Sequence, residues 1–306
     1  MLNSLHLAND RLQTVDLQSL GPAYELTPQA AKVYERFYGL KSVATYPDTL
    51  PTMLGTTLKC ALAQIPDASE RNGHLVYCKT QTHNTPTDRN WLWNFAASHG
   101  LENWEVHSLS MTSCASALSL LHFAHIADLQ EPLIVLTGEK AFHWSFSRVS
   151  VGLLAEIPCA ALFNAGPGIW QVRGTQVRHL CKFYQNPDDM SAADRRELQA
   201  NYLGSMIQFL KDNLDAYSDR LADDFIFLPQ NLNAPMTHSV VRHFGWEDRT
   251  YHGDVQHLGH AYCSDGFLNL AALESNRPET IRPGAQVLIL AAGTGVTFST
   301  CLLERQ

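Results

Sequence analysis

The chain has 306 residues, 45% of them apolar and 17% charged, and its 22 basic against 30 acidic side chains leave a formal charge of −8. That composition excludes a disordered tail, a collagen-like fibre and a small disulfide-stapled domain, because the apolar content suffices for one large core or two fused ones. The acidic balance argues against a nucleic-acid protein, whose footprint is a basic face, although a small anionic ligand needs only a local positive site.

In chain order, the opening MLNSLHLANDRLQ lacks a cationic segment followed by an apolar run and does not read as a signal peptide. Helical periodicity follows at residues 29–37 and 52–65, then a buried strand at 75–79, a helix at 89–98 and a strand at 105–109. A nearly all-apolar helix is expected over 114–129, strands at 133–137 and 159–163, and a long helix over 192–214. The C-terminal part repeats the alternation with a strand at 225–228, a helix at 234–244, a helix opened by Ser264–Asp265 and a strand at 287–290. A glycine turn and a returning strand then make a hairpin-like end. Strand and helix alternating over the whole length predict α/β layering, with mostly parallel sheets covered on both faces. The turn residues of GPGIWQVRG place a junction near residue 170, dividing the chain into packed halves, 1–170 and 171–306.

The longest apolar runs, such as 287–292, are far shorter than the roughly 20 residues of a membrane helix, and the chain is expected to be soluble and cytoplasmic. Seven cysteines, at positions 60, 78, 114, 159, 181, 263 and 301, form no CxxC pair, which fits a reducing compartment and thiols that mostly serve as small apolar groups.

Four segments have the residue types for chemistry. In SLSMTSCASALSLL, Cys114 opens a buried helix, whose free N–H groups and dipole favour a thiolate there. Such a thiol is an acyl-accepting nucleophile or, equally, a packed core residue. In FIFLPQNLNAP, Gln230, Asn231 and Asn233 lie between a strand and a helix, where amides cap the helix or aim at a ligand. In DVQHLGHAYCSDG, His260 at a glycine turn is a candidate base. His257, His260 and Cys263 raise a zinc site, but their spacing suits no single helical face and no second ligand pair stands nearby, so no metal is expected. His122 and His125 read as core or edge histidines. In AAGTGVTFSTCLL the glycines let backbone N–H groups approach a carbonyl that gathers charge, or simply make a turn.

Together and in this order, SMTSCASAL, PQNLN, GHAY and AAGTGVTFSTCLL resemble the motifs of the thiolase-like superfamily, and most nearly its β-ketoacyl-ACP synthase III branch. The resemblance implies two similar βαβαβ halves packed as five layers, α-β-α-β-α. It also implies a homodimer joined through a core strand. The family's catalytic histidine falls at Gln230 and its asparagine at His260, so histidine and amide have exchanged places, as in thiolases. The second cysteine of thiolases falls at Ala292.

These roles follow from the resemblance. Cys114 is acylated by an acyl-CoA or acyl-carrier-protein thioester, and no cofactor is permanently bound. His260 takes the thiol proton, Gln230 donates a hydrogen bond to the second substrate, and the backbone N–H groups of Cys114 and Thr294 hold the oxyanion. Asn233 and Arg242 contact substrate or carrier. The acceptor is an amine, an alcohol or a carbon nucleophile. The alternative is a degenerate subunit that pairs with an active paralogue.

Overall fold

Residues 1–21, 25–80, 90–140, 148–149, 151–185 and 190–306 are described by the computed structural model. Its strands are β1 (Leu2–Leu7), β2 (Gln13–Asp16), β3 (Ser42–Thr45), β4 (His74–Cys78), β5 (Glu105–Leu109), β6 (Leu133–Thr137), β7 (Arg148–Val149), β8 (Gly152–Leu153), β9 (Cys159–Phe163), β10 (Trp170–His179), β11 (Ile226–Leu228), β12 (Gln286–Gly293) and β13 (Thr297–Arg305). The helices that shape the site are α1 (Pro28–Tyr38), α2 (Leu50–Leu62), α3 (Trp91–Ala97), α4 (Ser116–Ile126), α5 (Ala192–Ala216), α6 (Ala234–Phe244) and α7 (Asp265–Asn276). The first residue of the helix expected at 89–98 lies outside the described residues.

Nine strands form one sheet in the order β11-β12-β13-β10-β1-β9-β6-β4-β5. The sequence predicts mostly parallel pairing, and the structure corrects this. Only β4–β5, β4–β6 and β11–β12 run parallel, while β6–β9, β9–β1, β1–β10, β10–β13 and β13–β12 are antiparallel. Strands buried on both faces lose the apolar–polar alternation that distinguishes an antiparallel sheet, so direction is not written in their composition.

The sheet contains its own repeat. Reading inward, β4-β6-β9-β1 and β11-β12-β13-β10 have the same order and the same pattern of one parallel and two antiparallel pairings. The counterpart of β5 is reduced to a single parallel bridge between Phe227 and Thr250. The two runs meet where Leu2 of β1 pairs with Trp170 of β10.

Alternate residues of each strand feed different cores, which defines five layers. Val135 of β6 and Ile289 of β12 face a central layer built from Leu118 and Leu121 of α4 and Phe267 and Leu270 of α7. Ile134 and Leu136 point the other way, against Met53 and Leu58 of α2 and Phe95 of α3. Leu288 and Leu290 face Phe209 and Leu210 of α5 and Val240 of α6. This is the α-β-α-β-α arrangement. The buried first half of α4 follows from its place in the middle layer, with a run of strands on either side, while Phe123 and Ile126 beyond it are exposed.

No helix among the described residues is long and apolar enough to cross a membrane.

Candidate active site

The centre of the molecule brings together the N-terminal ends of α4 and α7, the turn after β11 and the hairpin turn between β12 and β13. Residues Ser113–Ala115 make a 3-10 turn ahead of α4, so Cys114 precedes the α-helix proper rather than opening it. Ser113 has φ +52°, a left-handed conformation that a non-glycine residue rarely adopts, and its carbonyl accepts the Cys263 thiol at 3.3 Å. This sharp turn presents the Cys114 sulfur to His260.

The His260 ring is held at both nitrogens. Nε2 lies 3.1 Å from Cys114 Sγ, and Nδ1–H donates to Asp265 Oδ2 at 2.5 Å. Its backbone is fixed as well, since His260 N–H donates to Leu153 O at 2.9 Å and its carbonyl accepts from Ala155 N–H at 2.7 Å. Gly259 makes that approach possible: its φ is +78°, and a Cβ there would lie 2.9 Å from Leu153 O. Asp265 accepts two further backbone donors, Ala261 N–H on Oδ1 and Asn231 N–H on Oδ2, both at 2.7 Å. Burial opposes a charged His260, but the charges of Asp265 and Cys114 outweigh it and hold the imidazole well above the usual histidine range.

Cys114, His260 and Asp265 thus form a continuous, buried thiol–imidazole–carboxylate relay. The sequence names the first two and reads the third as a helix start. The overlooked signal was an acid five residues after the histidine, the one carboxylate in AYCSDGFLNL.

A second thiol, Cys263, which the sequence names only in the zinc grouping, stands beside the first. Thr80 Oγ1 lies 3.4 Å from Cys114 Sγ and 4.0 Å from Cys263 Sγ. Burial, then the charges of Glu139 and Cys114, push Cys263 well above the usual thiol range. Burial also raises Cys78 and Cys159, and it pushes Cys301 up to about 12. Those three stand among apolar core residues, as small buried groups do.

Cys114, Leu118, Gln230, Tyr262, Phe267 and Ala291 are among the residues lining a small cavity of about 10 Å³, room for about one water. The Gln230 amide is half committed there: its Oε1 accepts Ala292 N–H at 2.8 Å, which leaves Nε2 as the end that can donate. Asn233 and His260 border a second cavity, with Tyr38, Leu153 and Asn231. The helix-capping role open to the amides is not what the structure has. Asn233 stands at the N-cap of α6 in a left-handed conformation, without a side-chain cap bond, and its Nδ2 points to Met236 Sδ at 3.9 Å. The Asn231 side-chain oxygen accepts from Asn269 Nδ2, and its backbone N–H goes to Asp265. Arg242 is exposed on the last turn of α6 and lines neither cavity.

The hairpin turn is pressed against the cysteine turn. A Cβ on Gly293 would lie 1.9 Å from Thr112 O, and Thr294 Oγ1 donates to Ser113 Oγ at 2.9 Å. Among the described residues neither Cys114 N–H nor Thr294 N–H has a backbone acceptor.

The zinc grouping does not assemble. His257 is exposed and bonded to Asp254, away from the partners of His260 and Cys263. Among the described residues no group of three His, Cys, Asp or Glu could hold a metal ion.

A family model, the C-terminal part of 3-oxoacyl-[acyl-carrier-protein] synthase III, matches residues 219–305, which include Gln230, His260, Asp265 and Thr294. No curated protein matches the chain in sequence. Solved structures match it over nearly its whole length. ChlB3, an acyltransferase, superposes with a TM-score of 0.80 at 14% identity, covering 99% of this chain and 97% of its own. The synthase III of Aquifex aeolicus gives 0.74 at 14% identity, covering 99% and 98%. OleA of Xanthomonas campestris gives 0.73 at 14% identity, covering 99% and 100%. Such identities establish the fold alone. The chain thus has the fold of these structures over nearly its whole length, and its residues 219–305 match the C-terminal model of 3-oxoacyl-[acyl-carrier-protein] synthase III.

Proposed function

We propose that the protein is an acyltransferase whose Cys114 takes an acyl group from a CoA or carrier-protein thioester and passes it to an alcohol or amine. The observation that carries this reading is the Cys114 sulfur 3.1 Å from an imidazole whose other nitrogen is bonded to a buried carboxylate. ChlB3, with the same fold, is an acyltransferase.

Cys114 delivers its proton to His260 Nε2, and the thiolate attacks the thioester carbonyl. The N–H groups of Cys114 and Thr294 hold the oxyanion, where losing one such donor typically costs about 3 kcal/mol. The C–S bond to the donor breaks, His260 returns its proton to the departing thiolate, and the acyl group stays on Cys114. His260, neutral again, takes the proton of the acceptor O–H or N–H as the acceptor oxygen or nitrogen attacks the acyl-cysteine. Collapse then expels the Cys114 thiolate beside the imidazolium and restores the starting pair. Asp265 stabilises that imidazolium and fixes its orientation.

The relay favours a heteroatom acceptor over a decarboxylated carbon nucleophile. Carbon–carbon condensation would need both remaining donors, His260 Nε2–H and Gln230 Nε2–H, to face one enolate, whereas a heteroatom acceptor needs only one base. A base in line with the cysteine is what an alcohol or amine requires.

The same reading makes residues 1–170 and 171–306 the two halves of the working unit, with Asn233 at the second cavity as a substrate contact and Arg242 as a carrier contact on the outer face. It also makes the protein a homodimer. The position of β5 as the end strand of the sheet supports this.

The test is intact mass after incubation with a panel of acyl-CoA and acyl-carrier thioesters, beside Cys114→Ala. An acyl-sized gain that the variant loses is expected. No adduct from any donor would point to the degenerate subunit, and a co-purifying paralogue would then be sought.

A further inference from the structure

Asn269 is fully buried on α7, one turn beyond Asp265, on a helix whose other inward residues are Phe267, Leu268, Leu270 and Leu273. A polar side chain in such a place costs stability unless its hydrogen bonds are used. Both protons of its Nδ2 are used on one target, the turn after β11: they go to Pro229 O and to Asn231 Oδ1, each at 2.9 Å. The next atoms of that turn belong to the relay, because Asn231 N–H donates to Asp265 Oδ2, the oxygen that accepts His260 Nδ1–H. Gln230, which borders the cysteine cavity, lies between the two anchored residues.

Backbone from a third segment closes over the amide pair. A Cβ on Gly253 would lie 2.0 Å from Asn269 Oδ1 and 2.7 Å from Asn231 Oδ1. The arrangement is poor as a stabiliser. Asn269 Oδ1 and Asn231 Nδ2 are buried without hydrogen-bond partners, and each such atom typically costs about 1–3 kcal/mol. What the asparagine supplies in return is direction, since both of its donors fix the 229–231 turn.

We propose that Asn269 is a positioning residue for the relay, holding the 229–231 turn so that its N–H keeps Asp265 aimed at His260. The inference rests on Cys114 being the activated thiol. Other titratable groups around that thiol are Cys263, bonded to Ser113 O, Glu139, which accepts Thr80 N–H, and the Tyr202 phenol.

The test is alkylation of Cys114 by iodoacetamide as a function of pH, read by mass, in the wild type, Asn269→Ala, Asn269→Leu, Asp265→Asn and the Asn269→Ala/Asp265→Asn pair. It needs no acyl donor, so a failed donor panel leaves it intact. Loss of aim weakens the thiolate–imidazolium pair, so Asn269→Ala should move the profile to higher pH and slow alkylation about tenfold at pH 7. Asn269→Leu should show the same shift while melting higher than Asn269→Ala, and that separates aim from stability. In the Asp265→Asn background, Asn269→Ala should add nothing. A profile that superimposes on wild type for Asn269→Leu, or an effect undiminished in the Asp265→Asn background, overturns the proposal. Should Asn269→Ala fail to fold, Asn269→Leu and Gly253→Ala, which crowds Asn269 Oδ1 without removing a donor, carry the comparison. A wild-type Cys114 no more reactive than an ordinary thiol overturns the relay itself, and this inference with it.

Discussion

At His260, burial disfavours a charge on the ring, while Asp265 and Cys114 favour one, and the net effect raises its pKa well above the ordinary histidine value. A folded-state value above the unfolded one stabilises the fold fully below the unfolded pKa, and that contribution is lost as pH rises through the folded pKa. The melting temperature of the wild type should therefore exceed that of His260→Gln most near about pH 6, with the gap narrowing at alkaline pH. Thermal melts of both proteins across that range check this, and a gap that widens with pH contradicts it. At this scale Cys114 and His260 were legible because a thiol before an apolar helix and a histidine after a glycine are local patterns. Asp265 was not, because an acid in the first turn of a helix already has a local explanation in the helix dipole. Only its tertiary partners, His260, Ala261 and Asn231, reveal its other use.

Among the elements, the turn between β12 and β13 is the most demanding. Gly293 approaches Thr112 O so closely that any Cβ must displace one of the two backbones, and Thr112 is two residues from the cysteine. Gly293→Ala should cost about 2–4 kcal/mol, and it should slow Cys114 alkylation as the cysteine turn shifts. Denaturant unfolding and the alkylation rate measure the two effects, and an unchanged rate would show that the cysteine turn does not depend on this contact. The sequence located β5, β6 and β9 and α6 to the residue, because short strands between turn residues and a helix closed by a glycine have sharp local ends. It did not locate β1, whose LNSLHL mixes polar and apolar residues, nor β10, whose first residues follow GPG in a segment that reads as a turn.

For the whole molecule, the decisive contact is the one that makes two runs of strands a single sheet. Trp170 stands at that seam, with no exposed surface, pairing with Leu2 on one side and Arg305 on the other, and its Nε1–H donates to Glu274 Oε1 at 2.9 Å. Trp170→Ala should destabilise by about 3–5 kcal/mol. Because the central layer is shared by α4 and α7, calorimetry should still record one cooperative transition at a lower temperature. Two separate transitions would mean that the halves unfold independently.

The sequence by itself determined the alternation of strands and helices and singled out a thiol and an imidazole, Cys114 and His260, that the fold brings within 3.1 Å of each other. These depend on periodicity and on residue type, which are local. Tertiary structure alone decided the strand directions, the replacement of an expected parallel sheet by a mixed one, and the choice of Asp265 as the partner of His260. It also decided that Asn231 serves the relay rather than a helix cap. The reason is physical: a hydrogen bond between residues 34 or 146 positions apart depends on where the chain returns, and the free energy that brings it back is the burial of the central layer, spread over many residues.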